Sequence, residues 1–303
     1  MKAGRILLAE DSAQDVELTQ LESLAIGSCR LDGSALPPAD QHKIDVAVLD
    51  MNHSWSNVGH DALVHAILEA AEERRNDLKA SGKLVRAISF DVRRRHEIPP
   101  SPDGRFQLYV GTGGPGHLDP RENDGEAWWT QGIQETAEWE APLFRLFDDI
   151  AAHRKAVLLS VCHSFGLLCR WSRVAHPEMR EKKSTGMPLN VLTDEAAQHP
   201  WFGRFAEELP EHRKFRVVDN RMFDLVPEPD GSGTHLAFED AGKALTMVEL
   251  DKDEDGMPRI FGANHHPEII DREHILAVLD EKRQHGEVTA AWYEERADTL
   301  TNL

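Results

Sequence analysis

Short apolar runs, β-branched or leucine-rich, alternate along the chain with longer amphipathic stretches. This is the pattern of a parallel sheet covered by helices on both faces. The runs predict strands at Arg5–Ala9, Ile44–Asp50, Val85–Val92, Gln107–Gly111 and Ala156–Val161. Later runs predict strands at Leu189–Leu192, Phe215–Asp219, Leu236–Phe238, Ala244–Glu249 and Arg259–Gly262. Leu63, Ala66, Ile67 and Ala70 share one face of a helix predicted from His60 to Ser81, which Gly82 closes. Helices are also predicted over Glu135–His153 and Gly166–Val174, and two charge-rich ones over Ile275–His285 and Val288–Leu300. Gly27–His42, with its paired prolines, and Glu97–Gly104 read as loops. The predicted fold is α/β: an open, mostly parallel sheet with helices on both faces. Residues 44–270 form its main domain, 1–43 an N-terminal extension and 271–303 a C-terminal helical appendage.

Composition narrows the function classes. A net charge of −19 weighs against nucleic acid or an anionic membrane as the main partner. The cysteines, Cys29, Cys162 and Cys169, form no CxxC pair and no disulfide framework, which predicts a reducing, cytoplasmic setting. No stretch approaches the roughly 18 apolar residues of a membrane span, and the first residues lack a signal-length apolar core. The chain has 16 histidines but no HExxH or Cys/His ligand pattern. His53, His60 and His65 gather near Asp61, but His60 and His65 are spaced too far apart to share a helical face. Neither a metal nor a cofactor is expected. Arg93-Arg94-Arg95 and Lys182-Lys183 read as solvated charge runs. Met51–Asn57 lies between a strand and a helix, and reads equally as a crevice-lining loop or a capped helix start. Trp128-Trp129 reads as packing, a lid or a contact patch.

The densest chemistry lies in Leu158-Leu159-Ser160-Val161-Cys162-His163-Ser164-Phe165-Gly166. An apolar run stops at a nucleophile between small residues and a second apolar run follows, as where a strand turns sharply into a helix. Free N–H groups at that helix start favour a thiolate. A thiolate attacking a carbonyl needs a base, a group orienting that base, and donors for the developing oxyanion. His266-Pro267-Glu268 follows a predicted strand, so His266 is the candidate base and Glu268 its orienter. A second copy, His176-Pro177-Glu178, follows no predicted strand and is set aside. Thr112-Gly113-Gly114-Pro115-Gly116 follows another strand, and its amides suit an oxyanion site together with the His163 amide. All three segments sit at strand carboxyl ends, where open α/β sheets place their crevice.

In this order the segments resemble class I glutamine amidotransferases of the Cys-His-Glu type, which carry Gly-Gly-Pro-Gly, a Gly-x-Cys-x-Gly-x-Gln elbow and His-Pro-Glu. The matching residues are Gly113–Gly116, Ser160–Gly166 and His266–Glu268, and the resemblance covers roughly 44–270. His199-Pro200-Trp201-Phe202 is similar to a further segment of that family. The resemblance implies a flavodoxin-like fold, a Cys162/His266/Glu268 triad and oxyanion donors at Gly114 and His163. It also implies substrate contacts from Gly113, Gly116, Ser164 and Asn220. The implied reaction is hydrolysis of the glutamine side-chain amide through a thioester. The chain has no P-loop, so the ammonia would pass to a separate synthetase. Ser160 and Ser164 replace both elbow glycines, Gly166 stands where the family has Gln, Asn220-Arg221-Met222-Phe223 replaces a His-containing segment, and Asn264-His265 replaces Gln-Phe. The departures concern the pocket more than the triad. A cysteine hydrolase or acyltransferase on another substrate, or a catalytically silent binding homologue, are the alternative expectations. Cys162-His163 also echoes the elbow of PfpI relatives, in which His163 would act beside the cysteine.

Overall fold

The computed structural model describes residues 27–301 except 32, 34, 55–57, 210–212, 241–243, 270–271 and 285–288. The strand expected at Arg5–Ala9 lies outside the described residues. The strands are β1 (Gly27–Arg30), β2 (Lys43–Asp50), β3 (Leu84–Asp91), β4 (Phe106–Gly111), β5 (Val157–Val161) and β6 (Ala175–Gly186). They continue with β7 (Leu189–Leu192), β8 (Lys214–Arg216), β9 (Asp219–Pro227), β10 (Thr234–Glu239), β11 (Leu245–Lys252) and β12 (Pro258–Ala263). The helices are α1 (Val58–Glu73), α2 (Arg75–Ser81), α3 (Glu140–Ala152) and α4 (His163–Ser172). After these come α5 (Asp194–Gln198), α6 (Phe202–Glu208), α7 (Arg272–Gln284) and α8 (Ala290–Thr301). No described helix is long and apolar enough to cross a membrane.

The main sheet has the order β1-β3-β2-β4-β5-β12-β11-β10-β7-β8. From β1 to β12 all neighbours pair in parallel, and β3-β2-β4-β5-β12 reproduces the flavodoxin-like order. Beyond β12 the pairings become antiparallel. Central β2 and β3 are buried on both faces along most of their length, which explains why apolar residues dominate them. Ala47, Leu49 and Met51 point toward α3 and α4, packing with Leu143, Phe147, Leu167 and Leu168. Val46 and Val48, alternating with them, face α1 through Leu63 and Val64.

Buried charges fasten this half together. Arg86 on β3 grips Asp45 on β2 through both carboxylate oxygens at 2.7 and 2.9 Å, and Arg105 adds a third bond at 2.7 Å. Burial alone would raise the Asp45 pKa, but the two guanidiniums outweigh it and hold the carboxyl below its usual range. On β12, Arg259 donates to the carbonyls of Ile150, Ala151, His153 and Ala156. A cation thus closes the C-terminal end of α3, where carbonyls lack partners and the dipole is negative.

Several elements differ from the sequence reading. The stretch read as a loop at Gly27–His42 begins with β1, which pairs with β3 as an edge strand. The single helix expected over His60–Ser81 breaks at Arg74, which leaves helical geometry at φ −93° and ψ 14°. The predicted terminator Gly82 does take the left-handed cap conformation at φ 64°. Polar residues 175–186 form β6, which pairs antiparallel with β9 in a separate two-stranded sheet. The set-aside His176-Pro177-Glu178 therefore lies inside a strand. The run at Phe215–Asp219 divides between β8 and β9.

Candidate active site

The sheet places the candidate nucleophile and the candidate base on adjoining rails. β5 and β12 pair in parallel with Val161 opposite Ala263, and the Cys162 N–H donates to the Ala263 carbonyl at 2.8 Å. Cys162 follows β5 directly and takes φ 52° and ψ −105° before α4 starts at His163. A side chain in that region carries strain on the order of 1–3 kcal/mol, sustained only where the surroundings over-determine the turn. Here they do. The Ser164 hydroxyl accepts from the Val161 N–H at 2.8 Å and donates to the Val161 carbonyl at 2.9 Å. The Ser164 N–H donates to the Thr112 carbonyl at 3.2 Å. Gly111 lets Ser164 in: a Cβ there would stand 2.6 Å from both Cβ and Oγ of Ser164.

From the end of β12 the chain carries His266 back over the elbow. The His266 N–H donates to the Val218 carbonyl at 2.7 Å, and Nδ1 lies 2.7 Å from Glu268 Oε1. Cys162 is the other group that favours a charge on this ring. Burial opposes a charge on this imidazole, but the Glu268 carboxylate and Cys162 outweigh it and hold its pKa well above 6.5. The neighbouring His265 behaves oppositely: burial, followed by the charges of His266 and Arg221, pushes its pKa down to about 3. A proton near the thiol therefore resides on His266 and not on its neighbour.

Gly113 closes the third side. A Cβ on it would lie 2.9 Å from His266 Cε1, 3.4 Å from Cys162 Cβ and 3.7 Å from Cys162 Sγ. The three segments read from the sequence thus meet within van der Waals range. The flavodoxin-like order reverses between β2 and β4, and Met51 and Gly114 touch at that switch point: a Cβ on Gly114 would lie 2.3 Å from the Met51 carbonyl oxygen.

The remaining candidates occupy varied positions. His163 is buried, and its Nε2 has no partner among the described residues. It makes no pair with Cys162, so the arrangement of the PfpI elbow is not the one found here. Ser164 is fully buried with its hydroxyl committed to Val161, which gives it a part in the elbow. Gly116, at φ 85°, packs against Asn123 and Arg93. Asn220 lies on β9 opposite Thr185, two residues beyond the carbonyl that holds His266. Gly166 is covered by Leu118, whose methyl carbons would stand 2.6 Å from a Cβ there. Among the described residues no group of His, Cys, Asp and Glu is placed to hold a metal ion. His60, from the histidine cluster, instead bonds Ser89 at 2.9 Å and Asp61 at 3.0 Å.

Sequence reasoning missed the support of the Gly-rich loop. Arg93, read as solvated, is 1% exposed. It pairs with Glu135 through two bonds at 2.6 and 3.0 Å, and donates from Nη1 to the Met51 and Pro115 carbonyls at 2.9 and 2.6 Å. Asn123 and Trp139 also donate to Glu135, at 2.6 and 3.2 Å. Glu135 lies 42 positions from Arg93, so no local pattern reveals the pair.

The fold, an open α/β sheet, resembles that of solved glutamine amidotransferase structures, and in this chain a strained cysteine stands at the carboxyl end of a central strand. One solved structure it resembles is SMU.1228c, over 79% of this chain and 86% of that one, at 18% identity and a TM-score of 0.50. Another is a glutamine amido transferase from Methylobacillus flagellatus, over 78% and 75%, at 12% identity and a TM-score of 0.50. A glutamine amidotransferase from Thermotoga maritima aligns over 87% and 95%, at 12% identity and a TM-score of 0.49. At such identities the likeness is one of fold. No protein-family model and no curated protein matches the sequence.

Proposed function

We propose that the protein is a cysteine amidohydrolase of the class I glutamine amidotransferase type. Cys162 is the nucleophile, His266 the base and Glu268 the group that orients it. The observation that supports this reading is the His266 ring, bonded to the Glu268 carboxylate and closing with Cys162 on Gly113, where one added Cβ would touch both. His266 takes the thiol proton and Cys162 Sγ bonds to the amide carbonyl carbon. The resulting oxyanion accepts from the Gly114 and His163 amides. Collapse breaks the C–N bond, His266 protonates the departing nitrogen, and ammonia leaves. Water deprotonated by His266 then cleaves the thioester, giving the carboxylic acid and the free thiol. Glutamine is the substrate that the sequence resemblance suggests, and a separate synthetase the acceptor of the ammonia.

One observation favours another amide. Leu118 fills the space beside Gly166, where the family carries a glutamine side chain. A cysteine hydrolase acting on a less polar amide fits that surface better. Ammonia release from glutamine and from a panel of primary amides, by wild type and C162A, separates the readings. Turnover of glutamine by wild type alone is expected. Preference for an apolar amide by more than about tenfold would move the assignment to the second reading. If Cys162 also resists an electrophilic glutamine analogue and no amide is hydrolysed, the chain is a binding homologue and the enzyme reading fails.

A further inference from the structure

Thr112, just ahead of the glycine pair, is 1% exposed, so bulk water does not compete for its hydroxyl. Two donors meet that oxygen, the Met51 N–H at 3.0 Å and Asn52 Nδ2 at 3.3 Å. Asn52 is itself held in place. Its Nδ2 also donates to Asp50 Oδ1 at 2.6 Å, and its backbone N–H donates to the same oxygen at 3.0 Å. A hydroxyl has two lone pairs and a single proton. With both lone pairs taken, the proton goes to the Gly113 carbonyl at 2.8 Å. The backbone of Thr112 is fixed as well. Its N–H donates to the Leu49 carbonyl at 3.1 Å, and its carbonyl accepts from the Ser164 N–H at 3.2 Å. Thr112 is thus a junction between the end of β2, the elbow and the Gly-rich loop.

The direction of the Gly113 carbonyl decides that of the next amide. A peptide is planar and trans, so its N–H points opposite its C=O. Drawing the Gly113 carbonyl toward Thr112 therefore turns the Gly114 N–H away from it. Without that bond the peptide would be freer to rotate than most, because glycine flanks it on both sides. The Met51 carbonyl beside Gly114 and the triad beside Gly113 leave the loop no room to slide. We propose that Thr112 is a positioning residue whose hydroxyl sets the orientation of the Gly114 amide, one of the two oxyanion donors proposed above. Its catalytic meaning rests on the amidohydrolase reading, whereas the ordering of the loop does not. The hydroxyl is fully engaged by its three partners, so it acts through Gly114 and not on substrate.

The test uses the full chain as wild type, T112V, T112S and T112A. Valine keeps the shape of threonine and removes the hydroxyl, whereas serine keeps the hydroxyl and removes the methyl. Hydrolysis of γ-glutamyl p-nitroanilide reads the oxyanion site. Iodoacetamide alkylation of Cys162 reads the thiol, which needs no oxyanion donor, and amide hydrogen exchange over 112–117 reads the loop. T112V is expected to exchange faster in the loop and to lose kcat by about 10- to 100-fold at similar KM, with alkylation changed less than about twofold. T112S should stay within about threefold of wild type in all three. T112V at the wild-type kcat, T112S as impaired as T112V, or alkylation falling in step with hydrolysis would overturn the inference. If wild type hydrolyses nothing, the amidohydrolase reading falls and loop exchange decides the role of the hydroxyl, with unaltered exchange in T112V overturning that too. Should T112V not fold, T112A against T112S makes the same comparison.

Discussion

Adding one methyl group at Gly113 tests the convergence of the three segments. A Cβ there meets Cys162 Cβ at 3.4 Å and Sγ at 3.7 Å, which are tolerable contacts, but His266 Cε1 at only 2.9 Å. The imidazole must retreat by about 0.5 Å to reach ordinary separation. It has little freedom to do so, because its Nδ1 is bonded to Glu268 at 2.7 Å and its backbone to Val218. If a displacement near 1 Å costs about 100-fold in rate, half of that costs about tenfold, or ~1.4 kcal/mol in the barrier. Gly113 does not occupy the left-handed region, so alanine adds no backbone strain. G113A should therefore alkylate at Cys162 and hydrolyse amides about tenfold more slowly, while its stability falls by no more than about 1–2 kcal/mol. Iodoacetamide kinetics at the Cys162 peptide by mass spectrometry, with thermal melts alongside, supply both numbers. Wild-type rates in a folded G113A protein would refute the proposed meeting of His266, Cys162 and Gly113.

Three further outcomes follow from the same geometry. C162G should melt above C162A, by about 1 kcal/mol, because glycine relieves the positive φ that alanine retains; equal melting would mean the elbow is unstrained. In E268Q the carboxylate that raises the His266 pKa is gone and burial dominates, so the ring signal in NMR should titrate at lower pH. Because the folded pKa lies above the unfolded 6.5, the pair's stabilisation is complete below pH 6.5 and drains as pH rises through the raised value. Wild type should accordingly exceed E268Q in melting temperature more at pH 6 than at pH 10, and the reverse order would contradict the assignment. R93L strands the Glu135 carboxylate without its cation and should cost about 3–5 kcal/mol, part of which R93L/E135L regains; chemical denaturation measures both.

The parallel half of the fold was legible because buried strands must be mostly apolar on both faces, and β2 to β5 show it as short runs dominated by apolar residues. The site segments were legible for a related reason: each ends such a run, and chemistry that needs close backbone approach restricts the neighbours to small residues. What was hidden depends on distant partners. β6 reads Ala-His-Pro-Glu-Met-Arg-Glu-Lys-Lys-Ser-Thr-Gly, with no alternation, and its register shifts between Met179 and Ser184. Its pairing with β9 makes it a strand despite that composition. β1 is only 4 residues long and precedes a proline-rich passage, so nothing local distinguishes it from a loop. Arg93 sits among arginines that suggest solvent, and only the fold brings Glu135 to it. The resemblance implies a substrate contact from Ser164, but the sequence does not reveal that the hydroxyl bonds both the N–H and the carbonyl of Val161 within the turn.

The bond from the Cys162 amide to the Ala263 carbonyl has an evolutionary corollary. The proposed nucleophile and base are anchored to one ladder, so a shift of the framework carries both groups together and preserves their separation. On the proposed reading, substrate-contacting groups on the surrounding loops are not held by that ladder and can drift independently. A scaffold wired in this way can change what it accepts long before it loses how it reacts.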